Sequence, residues 1–228
     1  PKSRSSGWPT CFHNWSCTTA LAPPKLDDAG LAAQDIQSGH VGNFVGELFT
    51  GQGQLGGMFE AIDPGFHGMP AGRHEAACAS GSIALLAATA EIEAGRYDCV
   101  LVTGVELERN VAGAVAAQHL GAATWVGEEA QGAKYAWPHM FHLVGEEYER
   151  RYGLRYEHLA RIAEINIGNA RRNPLAQTRS WEYTPASFTA DDTANPVIEG
   201  MIRRQDCGQV TDGAAAVILA SPAFAARW

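Results

Sequence analysis

An α/β domain with largely parallel strand pairing, interrupted by a mainly helical insertion, is the fold this sequence predicts. Three observations carry that expectation. A helix of small and apolar residues, "SGSIALLAATAEIEAG", leads directly into "DCVLVTGVE", a β-branched run of the kind buried on both faces of a parallel sheet. A second apolar run, "GAAAVILA", follows late in the chain. Between the two, the residues turn charged and aromatic, as in "GEEYERRYG" and "YEHLARIAEINIGNARRNP".

Taken in order, residues 1–25 mix Trp, Pro, Cys, His and Thr with neither helical nor alternating periodicity, an atypical N-terminal segment. "LDDAGLAAQDIQSGHVGNFVG" predicts a helix end, a loop and a strand near His40 to Val45. Glycines crowd "GELFTGQGQLGGMF", which implies close backbone approach or a tight loop feeding another helix. After Cys78, Ile83, Leu86, Ala87 and Ala90 repeat at helical spacing, and Gly95 is the expected stop. Cys99 to Val105 is the buried strand. Leu159, Ile162, Ala163, Asn166 and Ile167 mark one face of a helix that ends before Pro174. Asp212-Gly213 makes a turn, and Ala214 to Ala220 a final core strand. The implied division is 1–25, a core over 26–119, a helical insertion over 120–193, and a return to the core over 194–228.

The bulk numbers exclude several classes. With 228 residues, 46% hydrophobic and 18% charged, the chain can bury a substantial core. A formal net charge of −8 argues against a non-specific nucleic-acid surface, which needs a basic patch. "RNPLAQTR" and "MIRRQD" still supply local positive charge for a small anion. No apolar run approaches the ~20 residues of a membrane span. Five scattered cysteines, Cys11, Cys17, Cys78, Cys99 and Cys207, suit a reducing cytoplasm better than a disulfide framework. With no CxxC pair, a zinc site is not expected; His139 and His142 lie one turn apart but lack a third ligand.

Cys78, in "EAACASGSIALLAA", admits two readings. Free cysteine is among the most buried residue types. Equally, Ala77, Ala79 and Gly81 leave the sulfur little cover, and Ser80-Gly81 suits a first helical turn. A thiol there meets unsatisfied N–H donors that favour the thiolate and an oxyanion. The G-x-S-x-G elbow of the hydrolases is missing.

"CASGSIALLAATAEIEAGRYDCVLVTGVE" resembles the nucleophile segment of the thiolase superfamily, and "NPVIEGMIRRQDCGQVTDGAAAVILAS" resembles the segment closing that family's N-terminal half. The likeness runs from about Leu26 to Ser221 and is nearest in character to acetyl-CoA acetyltransferases and lipid-transfer-protein thiolases. It implies a layered α/β/α half with a mixed, largely parallel sheet and a loop insertion. It implies that Cys78 is acylated by a coenzyme A thioester, with no cofactor beyond that substrate. "WPHMFH" resembles the family's His-Met segment, so His139 and Met140 are candidate substrate contacts; Phe141 stands where a glycine often follows. The plainer alternative is a helix-start histidine beside a core methionine.

The remaining singled-out residues read as structural: Cys207 a buried small residue, Cys99 an inert strand start, Glu106 a loop hydrogen-bonding group. "GEEYERR" reads as a solvated face with Glu146–Arg150 and Glu147–Arg151 spaced four apart. Arg171 and Arg172 either meet a coenzyme A phosphate or favour the helix dipole. The resemblance also implies a second half carrying a Gly-His-Pro histidine, an Asn-containing oxyanion site and usually a second cysteine; the sequence shows no Gly-His-Pro, no Cys-x-Gly near its end and no second run resembling the first. A fragment or disturbed product, a chain that pairs with a C-terminal-half subunit or with copies of itself, and a binding or scaffold remnant are the expectations that follow. A retro-aldol variant working with a partner protein is a further one.

Overall fold

In the computed structural model, which describes residues 26–228, the strands are β1 (Ser38–Gly42), β2 (Ala71–His74), β3 (Cys99–Glu106), β4 (Val197–Glu199), β5 (Ile202–Arg203) and β6 (Gly213–Ala220). The expectations for residues 1–25, Cys11 and Cys17 included, lie outside the described residues. Two units form: residues 26–119 with Val210–Trp228, and Leu120–Gln209.

In the first unit the sheet order is β2-β1-β3-β6. β1 pairs in parallel with both β2 and β3, and β6 runs antiparallel to β3, which makes the sheet mixed as expected. β3 reads as a continuous apolar run because both its faces are covered. Val100 and Val102 meet Ala84 and Ala88 of helix α1 (Ser80–Glu93) on one side. Cys99, Leu101 and Val105 join Val41, Leu55, Phe59 and Phe66 on the other. β1 follows the same alternation. Gly39 and Val41 face the aromatic side, where a Cβ on Gly39 would meet Met69 and Phe59. Ser38, His40 and Gly42 share the face of α1.

The expected helix after Cys78 is present, and its end has a physical cause. Gly95 takes φ +66, its N–H reaches Ile92 O at 2.9 Å and the Arg96 N–H reaches Glu91 O at 3.0 Å, which closes the last turn with a left-handed glycine. The end of β1 differs from expectation. β1 ends at Gly42 rather than Val45, because Asn43 leaves the ladder: its Nδ2 donates to Val105 O at 2.6 Å and its Oδ1 accepts the Gly46 N–H. β6 ends the strand order and packs on the core as expected, with Ala216 buried, Ala214 and Ile218 packed on the aromatic side and Leu219 on the side of α1. Asp212 does more than turn the chain, since its Oδ1 accepts the N–H groups of Glu108 and Arg109 at 2.7 and 2.9 Å.

The second unit carries helices α2 (Ala136–Tyr152) and α3 (Tyr156–Arg172) and the β4-β5 hairpin. α3 ends before Pro174 as expected, but its buried face runs through Ala160 and Ala163, while Ile162 and Asn166 are exposed. The small alanines allow close packing; hydropathy alone could not order them above Ile162. Asn195 is fully buried and knits this unit, donating to Tyr156 Oη and Thr189 O and accepting the Gln205 N–H at 3.0 Å. Arg150 and Arg151 both bind Glu147, so the expected Glu146–Arg150 pair is absent and Glu146 faces His142 instead. Arg171 lies over the Tyr183 ring and Arg172 donates to Asn169. Cys207 is half-buried, not buried. Among the described residues, no helix is long and apolar enough to cross a membrane.

Candidate active site

β2 ends at His74 and α1 begins at Ser80, so residues 75–79 form a tight strand-to-helix corner. Ser80 clamps it: its Oγ accepts the Ala76 N–H at 2.9 Å and donates to Ala77 O at 2.7 Å. Ala77 is held at φ 48, a left-handed conformation that costs a non-glycine residue on the order of 1 kcal/mol or more. Cys78 follows and is exposed. Ser80 is buried with its hydroxyl engaged on both sides, so of the corner's hydroxyl and thiol only the thiol is exposed. Ala79 offers no side-chain cap, so the opening N–H groups of α1 gain none from it.

The other thiols differ. Cys99 is fully buried at the start of β3, and burial, with Asp35 and Asp98 adding to it, pushes its thiol up to about 11. That makes it inert, as expected. Burial also raises the Cys207 thiol.

Behind the corner, the ends of β1 and β3 are tied by Glu106. Its carboxylate accepts the Phe44 N–H at 2.6 Å and the Asn43 Nδ2 at 3.1 Å. Glu106 is thus the hydrogen-bonding group expected, placed at the end of the strand rather than in a loop. Burial raises its carboxyl to about 7, with the Phe44 N–H pulling the other way and Glu108 adding to the rise. The sign of the consequence follows from linkage. The folded chain binds this proton more tightly than the unfolded chain, so the contribution is complete below pH ~4.5 and is lost as pH rises through about 7. Urea unfolding midpoints of the wild type should fall across that window, and Glu106→Gln should flatten the fall.

In the second unit, His139 and Met140 are half-buried in the first turns of α2. His139 Nδ1 lies 3.4 Å from Glu199 Oε1 on β4. His142 Nδ1 accepts the Met201 N–H at 3.3 Å, and the two imidazole centroids are 6.2 Å apart. Among the described residues, no group of three or more His, Cys, Asp or Glu side chains could hold a metal ion. The sequence-derived candidates therefore divide between the units, Cys78 in the first and His139 with Met140 in the second. Asn43 and the histidines of β1 and β2 were not legible beforehand; no local pattern marks residues whose partners lie dozens of positions away.

A mixed sheet whose β2–α1 corner presents a cysteine, with a helical unit inserted before the antiparallel last strand, defines a thiolase-like chain. Residues 18–199 match the family described as Thiolase, N-terminal domain, and the chain belongs to that family. It is 32% identical over 222 residues to an acetyl-CoA acetyltransferase of Methanothermobacter thermautotrophicus, covering 96% of this chain and 54% of that one. The chain thus spans about half the length of such relatives. In fold it is similar to the Acat5 thiolase of Ascaris suum, solved in complex with coenzyme A, with a TM-score of 0.68, 16% identity, and coverage of 97% of this chain and 63% of that one. It is also similar to the Ltp2-ChsH2(DUF35) aldolase, with a TM-score of 0.60, 20% identity, and coverage of 88% and 49%.

Proposed function

We propose that Cys78 receives an acyl group from a coenzyme A thioester, as one step of thiolase-type formation or cleavage of a carbon–carbon bond. The observation that supports this reading most is an exposed thiol at a corner fixed by backbone and Ser80 hydrogen bonds, in a chain of the thiolase family. The thiolate adds to the thioester carbonyl, the carbonyl oxygen takes the negative charge, and collapse expels the coenzyme A thiolate, which then takes up a proton. One thioester replaces another, so the acyl group keeps its transfer potential. Backbone N–H groups at the start of α1 are the proposed donors to the oxyanion. His139 and Met140 are proposed as contacts to the pantetheine and acyl portions. Mixing the chain with acetyl-CoA should release one equivalent of free coenzyme A per chain, read by chromatography. Pre-treatment with iodoacetamide should suppress it; release that survives the treatment contradicts the reading.

A second reading is favoured by the likeness to an aldolase whose two named components are Ltp2 and ChsH2(DUF35). Here the chain works with a partner, in retro-aldol cleavage or as a binding subunit without turnover. Ile83, Leu85 and Leu86 of α1 are exposed, an uneven arrangement for a helix this apolar. A second copy or a C-terminal-half subunit is the proposed cover. Sedimentation of the chain alone should show concentration-dependent association, whereas a compact monomer at all concentrations would count against it.

A further inference from the structure

The face of β1 that meets α1 carries a polar chain that the proposed acyl-transfer step does not use. His40 on β1 is 6% exposed, and its two ring nitrogens are both engaged. Nε2 lies 3.0 Å from Glu91 Oε2 on α1, and Nδ1 lies 2.8 Å from His74 Nε2 on β2. The Ser38 hydroxyl also bonds to Glu91. His40 pairs in register with Gly72, and His74, two residues further along β2, reaches across to it diagonally. His74 is the last residue of β2 and lies four positions before Cys78.

The proton positions follow from the partners. An ionised Glu91 only accepts, so His40 Nε2 carries hydrogen. In a neutral ring His40 Nδ1 then accepts, so His74 Nε2 carries hydrogen and His74 Nδ1 keeps its lone pair. Burial opposes the charge on Glu91, yet the hydrogen bonds from His40 and Ser38 hold its carboxyl below the usual range. Burial, followed by the proximity of His40, holds His74 below the usual imidazole range. One proton from solvent can enter at His74 Nδ1 without breaking any bond of the chain. A second, on His40, would set two N–H groups against each other.

We propose that Glu91, His40 and His74 form a partly buried proton-holding chain that positions the Cys78 corner and tunes the reactivity of its thiol, with His74 a positioning residue. Protonating His74 places a positive charge on the strand end that feeds the corner, which favours the thiolate. The groups facing the chain are Glu91 from α1, with Arg96 beyond that helix acting on it; Ser38 from β1; and only Val100 and Val102 from β3. Arg73 of β2 is turned to Glu47, Glu75 and Asn43 O.

This inference rests on Cys78 being the nucleophile, and the test keeps the two apart. On the full chain, the rate of iodoacetamide alkylation at the Cys78 peptide is followed by mass spectrometry between pH 5 and 9. A lone thiol gives a tenfold fall per pH unit below its ionisation. The wild type should exceed that line by about threefold toward the acid end of the range, where His74 takes up its proton, and His74→Gln and Glu91→Gln should return to it. A histidine-selective NMR titration of the wild type should show the His74 ring taking up a proton over the pH range of that excess. A His74→Gln profile of the same shape as the wild type, or a His74 ring that titrates outside that range, overturns the proposal. Alkylation that follows the expected profile without acylation by acetyl-CoA sinks the acyl-transfer reading alone.

Discussion

Cys78→Ala should abolish acetyl transfer from acetyl-CoA to the chain, lowering the labelling rate at least about a thousandfold, the scale on which removal of a nucleophile acts. Among the described residues, neither Ser80 nor Cys99 can substitute. Ser80 has its hydroxyl bound on both sides and is buried. Cys99 is fully buried, with its thiol held near 11, so the fraction ionised at neutral pH is negligible. Cys78→Ala changes one exposed atom at a corner held by other residues, so thermal unfolding should be unchanged within ~0.5 kcal/mol. Loss of labelling with an intact melt is the expected pair of results. Residual labelling mapped to another residue would show that the exposed thiol is not the acceptor.

Gly42→Ala should cost about 3 kcal/mol, at the upper end of what overpacking does in a tight core. A Cβ on Gly42 would sit 2.7 Å from both Gly81 Cα and Gly81 N, and 2.9 Å from Ser80 C. Those atoms are backbone in the first turn of α1, so no rotamer can relieve the contact. Strand and helix must separate at the level of the Cys78 corner. The melting temperature should fall by on the order of 10 °C, and the Ser80 clamp should loosen with it. Gly81→Ala provides the contrast, because nothing lies within 4 Å of its added Cβ. There the helix gains up to ~1 kcal/mol from alanine's better propensity. Two touching glycines thus carry opposite expected signs, and equal losses at both would contradict the packing described.

Much of this geometry was legible because it is local. The β-branched run of β3 and the stop at Gly95 are written in adjacent residues, and the small-residue pattern around Cys78 marks the corner. What local pattern could not show depends on distant partners. β1 was expected to reach Val45, but Asn43 breaks it by bonding to Val105, 62 positions away. His40 reaches 34 positions to His74 and 51 to Glu91, so three residues ordinary in isolation become one partly buried chain. On α3, apolar periodicity favoured Ile162, whereas packing selected Ala160 and Ala163 for their small size. Charge spacing held for the expected Glu147–Arg151 pair but not for Glu146–Arg150, since Arg150 also turns to Glu147.

The most direct measurement is the mass of the Cys78 peptide after the chain is exposed to acetyl-CoA, then digested under conditions that preserve thioesters. One acetyl group on that peptide, removed by hydroxylamine and accompanied by free coenzyme A, is the result predicted. An unmodified Cys78 peptide in a chain whose Cys78 still alkylates with iodoacetamide would contradict it.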